Sequence, residues 1–298
     1  MDPSFRWGDV EDEVTRPYAE VIGDPIAHSK SPVMHGYWLE RAGIEAEYRR
    51  AHVRPEELAS YLASRRADPD WRGCNVTIPH KQAVMALLDR IDPVAQAIGA
   101  VNTVVQRDGV LVGHNTDAPG FLEPLRPELA RRHLLRTARI LGTGGAARAI
   151  AHALWDEGFT LIVAGRDVAK AAEIVAGFDP GFVHICMLDT FAQPIDFDWG
   201  EPGDRLDVVV NATSLGMTGQ PSLPIHFSNV PPGAIVYDAV YAPLITPLLA
   251  EAQERGHRVI DGLSMLIGQG RIAFEHFFGV AAPSDAASDA ELRARMTA

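Results

Sequence analysis

Cysteine is scarce in this 298-residue chain: Cys74 and Cys186 are the only two. That is too few for a disulfide framework, and neither has the CxxC or Cys/His spacing of a structural zinc site, so a reducing cytoplasm is the expected compartment. Long apolar runs are missing too; nothing approaches the roughly 18 residues of a membrane span. The N-terminus, MDPSFRWGDVEDE, is acidic and lacks the apolar core of a signal peptide. Positive charge is in deficit, with 27 Lys and Arg against 39 Asp and Glu and a formal net charge of -12. A nucleic-acid partner would call for concentrated Lys and Arg, so the deficit argues against one while leaving room for a local basic pocket. No GxSxG or Cys/His nucleophile signature occurs, and no metal-ligand spacing. What remains, at 47% hydrophobic and 22% charged residues, is the composition of a folded enzyme, long enough for two domains.

The chain is organised around Arg139 to Ala149, RILGTGGAARA. A buried strand end runs into a turn crowded by Gly142, Gly144 and Gly145, with Thr143 between them, and a helix opens at Ala146. Such a turn lets backbone approach a diphosphate, and the helix N-terminus faces the anion. The spacing is GxGGxxxA, which meets the GxGxxG fingerprint only in part, and a structural strand-to-helix turn is the competing reading. Phe159 to Ala164 supplies the next strand of a βαβ unit.

Taken in order, residues 1 to 16 are expected to be a poorly ordered extension. Strands are expected at Tyr18 to Gly23, Glu45 to Val53 and Gly73 to Ile78, with helices at Val33 to Ala42, after Pro55, and at Lys81 to Leu88. Asp108-Gly109 marks a hairpin between Val101 to Val105 and Val110 to Gly113. From Thr116 a second unit begins: a helix over Pro119 to Ala130, the glycine-turn strand, and helices at Ala146 to Asp156 and Val168 to Val175. Val183 to Cys186 is a weaker strand. Leu206 to Asn211 and Gly233 to Tyr237 read as parallel core strands because their apolar residues run without alternation. A helix at Pro247 to Arg255, a strand at His257 to Ile260 and a last helix at Gly262 to Phe278 follow, with a short surface helix in the tail. The fold class is therefore two-domain α/β: an N-terminal unit with a mixed sheet over 17–115, completed by helices within 262–298, and a Rossmann-like nucleotide unit over 116–261.

Polar residues collect just past the strand ends, where open parallel sheets place ligands. Ser29 and Ser31 follow the first strand; Asn75, Thr77 and Lys81 surround the end of the third. Asn102 lies in GAVNT and Asp117 in HNTD, while Asn211, Thr213 and Ser214 end the core strand of the second unit. Hydroxyls, amides, one lysine and one aspartate suit a small polyhydroxy acid and hydride transfer, which needs a proton donor beside a carbonyl and no covalent step. Each has a bland alternative. Ser29 and Ser31 serve equally as turn and cap residues, the asparagines as partners of loop backbone, Asp117 as a helix N-cap, and Tyr241 as an aromatic packed at a domain boundary. A lysine at a helix start is electrostatically unfavourable, which favours a chemical role for Lys81. His28, His35 and His80 are expected to be loop or packing residues. Cofactor choice rests on Ala164-Gly165-Arg166-Asp167, with Lys170 and Arg148 nearby: Arg166 suits the extra phosphate of NADP, whereas Asp167 opposes it unless it only caps the helix.

Eight ordered blocks give this chain a resemblance to the shikimate dehydrogenase family from about Tyr18 to Gly279: GDPIAHSKSP, NVTIPHK, GAVNT, NTD, GTGGAARA, NATSLGM, YAPLITPL and DGLSMLIGQG. The resemblance implies substrate contacts by Ser29, Ser31, Asn75, Thr77, Lys81, Asn102, Asp117, Tyr241 and Gln269, with Lys81 and Asp117 the catalytic pair. It assigns the cofactor, NADP with NAD as an alternative, to Gly142, Thr143, Gly144, Gly145, Ala146, Arg166, Asp167, Thr213, Ser214 and Gly262. The implied reaction is reversible NADPH-dependent reduction of 3-dehydroshikimate to shikimate, by a monomer or homodimer. An NAD-dependent quinate/shikimate dehydrogenase is the alternative enzyme, and a catalytically silent nucleotide sensor the alternative of another class. Three departures stand out: Gly165-Arg166-Asp167 replaces the more common Asn-Arg-Thr or Asn-Arg-Ser, Gly36 a frequent polar amide, and Ser264 a common glycine near the substrate side.

Overall fold

The computed structural model describes residues 16–200 and 203–297, so the expected N-terminal extension, apart from Arg16, lies outside the described residues. The first unit runs β1 (Tyr18–Gly23), α1 (Ser31–Ala42), β2 (Glu47–His52), α2 (Leu58–Arg66), β3 (Trp71–Val76), β4 (Arg90–Ile91), α3 (Pro93–Ile98), β5 (Thr103–Arg107) and β6 (Val110–His114). Its sheet has the order β2-β1-β3-β5-β6-β4. Strand β1 is parallel to both neighbours, whereas β5 is antiparallel to both of its own, so the sheet is mixed. The Asp108-Gly109 turn takes φ of 51° and 78°, the left-handed pair of a type I′ hairpin.

The second unit begins with α4 (Asp117–Leu122) and α5 (Arg126–Leu129). It continues through β7 (Leu135–Leu141), α6 (Gly145–Asp156), β8 (Thr160–Gly165), α7 (Val168–Val175), β9 (Val183–Met187), β10 (Arg205–Asn211), β11 (Ile235–Asp238), α8 (Pro247–Glu254) and β12 (Arg258–Ile260). The strand order β12-β11-β10-β7-β8-β9 is parallel throughout. This is the doubly wound order in which β7 and β10 flank the switch point, where ligands bind beyond the carboxyl ends. The Arg139 side chain inside β7 is buried at 6% exposure because it pairs with Asp207 of β10 at 2.9 Å and stacks on Trp199.

Two expectations fail locally. Residues 81–88 do not form an α-helix: only a 3-10 turn over Ala83–Leu87 appears, so the helix-dipole argument for Lys81 does not apply. The helix expected over Pro119 to Ala130 is broken into α4, a 3-10 turn at Glu123–Leu125 and α5, because Pro124 and Pro127 cannot supply interior N–H groups.

The chain then closes with α9 (Gly262–Phe278) and α10 (Ala286–Thr297). Leu263, Ile267, Phe274 and Phe277 of α9 and Leu292 and Met296 of α10 share one core with Ala19, Val21, Met34 and Trp38 of the first unit. Helix α9 also crosses α4 at glycine contacts. A Cβ on Gly120 would collide with the Gln269 backbone nitrogen, and one on Gly268 would lie 2.9 Å from the Gly120 carbonyl. His35 of α1 is fully buried in this core, stacked on Tyr48 at 3.9 Å and edge-on to Trp38. His80 is buried with Nε2 2.6 Å from the Val53 carbonyl, while His28 is exposed. Among the described residues no helix is long and apolar enough to cross a membrane.

Gly120→Ala should cost about 1–3 kcal/mol by prising α4 from α9, read as a lower urea midpoint at unchanged m. Burial alone pushes the His35 pKa down to about 3. The unfolded chain therefore binds a proton below pH ~6.5 that the folded chain refuses, and stability falls as pH drops. His35→Phe should abolish this component, sparing about 2 kcal/mol of the loss measured between about pH 7 and about pH 5.

Candidate active site

Four elements converge on one buried charge pair. Lys81, on the loop after β3, places Nζ 2.5 Å from Asp117 Oδ2, with the two side chains 14% and 7% exposed. Asp117 is the first helical residue of α4, and the position ahead of it belongs to Thr116, so it is not the expected N-cap. Its second oxygen, Oδ1, accepts from Asn102 Nδ2 at 2.9 Å. Asn102 is oriented from its other end, where Oδ1 accepts the Thr116 backbone N–H at 2.7 Å and the Thr103 hydroxyl at 3.1 Å. Gln269, on the α9 face that crosses α4, accepts from the Thr116 hydroxyl at 3.3 Å and from Asn102 at 3.4 Å. Asn75, at the end of β3, donates to the Thr103 hydroxyl at 3.0 Å and accepts from the Tyr48 hydroxyl at 2.6 Å. Burial pushes the Tyr48 pKa upward, which keeps that phenol a donor.

A second polar group sits at the start of α1. Ser29 Oγ accepts the Ser31 N–H at 3.3 Å, and Ser31 is buried at 6% exposure with a hydroxyl that has no partner among the described residues. Helix α1 has no side-chain N-cap and no acid in its first turn, so its positive end is open to an anion. Tyr241 reaches this turn. Burial raises its pKa, opposed by the nearby Arg50 charge and a hydrogen bond to the Lys30 backbone. Arg50 itself holds the Ser29 carbonyl with two donors at 2.9 and 2.6 Å. Thr77 is not drawn into either group; its backbone pairs with Ile22 and His80, and its methyl fills the space beside Gly23.

The glycine turn closes the cleft from the other side. A Cβ on Gly142, where φ is +130°, would sit 2.7 Å from the Ala212 carbonyl, so the β7 exit and the β10 exit touch. A Cβ on Gly145 would lie 3.0 Å from Lys81 Cδ; its absence lets the lysine stem pass beside the start of α6. Gly144 stands at the N-cap of α6 without a side-chain cap, and no acid occupies the first turn, leaving the N–H groups of Gly145 and Ala146 for an anion. Thr143 packs against Gly165, where a Cβ would come within 2.5 Å of its methyl. Arg166 is exposed and unpaired among the described residues, as is Lys170, whereas Arg148 is tied to Glu173 at 3.0 Å. Asp167 spends its carboxylate on α7, accepting the Ala169 N–H at 2.9 Å. Gly262 starts α9 tightly against the Ala239 and Val240 carbonyls, each 2.5 Å from where a Cβ would be.

Thr213 and Ser214 lie on a loop shaped by Asn211, which the sequence singled out, and by Asp238, which it did not. Asn211 accepts the Thr213 N–H and hydroxyl and donates to Leu215 O and to Asp238 Oδ1, both at 2.9 Å. Asp238, fully buried, also accepts the Val240 N–H at 2.9 Å and the Thr246 hydroxyl at 2.7 Å. Burial raises its pKa against these hydrogen bonds. Ser214 is exposed. The hydroxyl of Ser264 donates back to Asp261 at 3.0 Å and lies 3.4 Å from Arg293 of α10, so it serves the α9 cap. Tyr48, Thr103, Thr116 and Asp238 were the partners sequence reasoning missed. Among the described residues no cluster of three metal-ligating side chains forms.

Two family models match the chain, one described as a shikimate dehydrogenase substrate binding domain over residues 21–104 and one as a shikimate 5'-dehydrogenase C-terminal domain over 262–290. The shikimate dehydrogenase (NADP(+)) of Sphingopyxis alaskensis is 49% identical over 284 residues, covering 95% of this chain and 97% of the relative. The crystal structure of shikimate 5-dehydrogenase from Thermus thermophilus in complex with NADP(H) and shikimate superposes with a TM-score of 0.78 at 36% identity, over 94% of this chain and 99% of that one. Quinate dehydrogenase from Corynebacterium glutamicum in complex with NAD gives 0.79 at 30% identity, over 94% and 98%. Identity of this order across nearly the whole of both chains means that the chain belongs to the shikimate dehydrogenase family.

Proposed function

We propose that this protein is an NADP-dependent shikimate dehydrogenase that reversibly reduces 3-dehydroshikimate to shikimate in aromatic amino acid biosynthesis, with Lys81 and Asp117 as its catalytic pair. The observation that carries the reading is the Lys81–Asp117 contact at 2.5 Å, held between the polar cluster and the glycine turn. Curated relatives that are NADP-dependent shikimate dehydrogenases, 49% identical in one case, support it.

The substrate is an anion carrying several hydroxyls. Ser29, Ser31, Tyr241 and the open N-terminus of α1 suit its carboxylate, and Asn75, Asn102, Asp117 and Gln269 suit its hydroxyls; Thr77, outside both polar groups, is a further contact on the family resemblance alone. The unit that binds it takes in 17–115 with the helices of 262–298, whose α9 supplies Gln269. The nucleotide unit is then 116–261. Its residues fit a dinucleotide phosphate: the uncapped start of α6, at Gly144, Gly145 and Ala146, would hold the diphosphate, with Gly142 and Thr143 shaping the turn. Thr213, Ser214 and Gly262 border the same switch point. Arg166 and Lys170 are cations beside β8 with no partner among the described residues, and Asp167 is committed to its helix, so the segment suits the additional phosphate of NADP better than a bare ribose. When bound, the reduced cofactor supplies the hydride.

The chain's own groups handle the proton. In the reducing direction Lys81 Nζ donates to the carbonyl oxygen as it gains charge; in the oxidising direction the same nitrogen receives the hydroxyl proton. Asp117 aims the ammonium through Oδ2, and Asn102 stops the carboxylate rotating by holding Oδ1. Two unpaired cysteines suit a reducing cytoplasm, and we expect a monomer or homodimer.

The test is nicotinamide absorbance with shikimate and quinate, each with NADP and NAD. Shikimate oxidation with NADP is expected; better turnover with quinate and NAD would overturn the assignment. Lys81→Ala should lower kcat by about 10²–10⁴-fold while KM for shikimate changes little, because the proton donor acts only as charge develops. Arg166→Ala should raise KM for NADP by roughly tenfold, the loss of one charge-assisted contact, and leave activity with NAD unchanged.

A further inference from the structure

The serine turn is held by more than its own backbone. Between Ser29 and Ser31, Lys30 sends its ammonium away along the chain to the carbonyl of Met296, in the last turn of α10. Four carbonyls at a helix C-terminus lack intrahelical partners, and a cation there is favoured by the negative end of the helix. Lys30 also occupies the N-cap position of α1, where its side chain makes no cap. One lysine thus connects the start of α1 to the end of α10. The opposite end of that connection is fixed as well. Leu292 and Met296 are buried in the core formed with α1 and α9. Arg41 donates to Ser288 at 3.0 Å, Arg271 pairs with Asp289 at 2.5 Å, and Arg293 pairs with Asp261, the N-cap of α9. Helix α10 therefore spans from the serine turn to the start of the helix that carries Gln269.

We propose that α10 is a brace for the substrate's carboxylate site and that Lys30 is a positioning residue, fixing Ser29 and Ser31 through its contact with Met296. The proposal rests on the reading of Ser29 and Ser31 as carboxylate contacts. Arg50 holds the same turn from β2 by the Ser29 carbonyl, so loss of Lys30 loosens the turn without releasing it. The effect falls on binding. The reacting groups, Lys81 and Asp117, are held by separate contacts to Asn102 and to each other.

The experiment compares the full chain with Lys30→Met, Lys30→Arg and a chain ending at Arg295, which lacks the acceptor carbonyl. Lys30→Met should raise KM for shikimate by about tenfold, with kcat within about twofold and KM for NADP unchanged, as expected when binding is lost equally from ground and transition states. Lys30→Arg, which keeps charge and donors, should stay within about threefold of the parent. The shortened chain also gives up the buried Met296 side chain, so its KM for shikimate should rise at least as far as that of Lys30→Met, and adding Lys30→Met to it should raise KM no further, because the Lys30 contact is already gone. Amide hydrogen exchange over residues 26–33 should be faster in Lys30→Met, a readout that needs no turnover. If the parent fails to turn over shikimate, the functional reading falls while the exchange comparison still decides the brace. A shortened chain that does not fold leaves the two Lys30 variants and the exchange data to decide. Parent-like KM and parent-like exchange in Lys30→Met would overturn the proposal. So would a normal KM in the folded shortened chain beside a raised one in Lys30→Met, because Lys30 would then act on the substrate directly.

Discussion

Everything around the cleft answers to the cost of burying Asp117. A carboxylate that is 5% exposed must have its oxygens satisfied, and a partly satisfied one would cost several kcal/mol. Lys81 takes one oxygen and Asn102 the other. That solution forces the geometry of three separate segments. The loop after β3 must bring the lysine in, β5 must begin at a fixed distance from α4, and α4 must lie close enough to α9 for Thr116 to share Asn102 with Gln269. The glycines at 120 and 268 exist for this last requirement, since any side chain there would widen the crossing. A packing feature remote from the chemistry is thus a condition for the charge pair.

The nucleotide side meets a similar problem differently. Asp238 is completely buried without a cation, and its acceptor capacity is filled by Asn211, Thr246 and the Val240 N–H. With no opposite charge, burial raises its pKa, the reverse of what a salt bridge would do. The arrangement ties the exit of β10 to the exit of β11 and to the first turn of α8, so the loop bearing Thr213 and Ser214 is shaped from beneath. Hydrogen bonds to neutral donors suit a scaffold; the ion pair suits the proton-handling role proposed for Lys81.

The parts of this architecture written locally were legible in the residues. Continuous apolar runs marked the parallel strands, Asp108-Gly109 marked the hairpin, and the bounds of α7 and α9 agree with the expected ones. Failures came where local pattern meets a tertiary partner. A helix was expected over residues 81–88, yet Lys81 is drawn to Asp117, and only a 3-10 turn is found there. The role of Ser264 was not legible because its partners, Asp261 and Arg293, include one 29 residues away on another helix. Tyr48 and Thr103 look like ordinary strand residues; nothing but the register of β2, β3 and β5 brings them to Asn75. One compositional signal was present all along. Only three of the 27 Lys and Arg residues are lysines, and these are Lys30, Lys81 and Lys170, each beside the serine turn, the charge pair or the nucleotide strand.

Cofactor choice shows how a single side chain changes meaning once its partner is known. By sequence, an acid directly after β8 is the mark of a ribose-binding site and argues for NAD. In the fold, the Asp167 carboxylate accepts the Ala169 N–H and stabilises the start of α7, a role worth about 0.5–2 kcal/mol to that helix. Arg166 points the balance the other way, because it is exposed with no carboxylate among the described residues claiming it, whereas Arg148 is already neutralised by Glu173. An anion arriving there meets a cation whose pairing costs no existing ion pair. The preference for the additional phosphate of NADP follows from which charges are already spent, and composition alone does not carry that information.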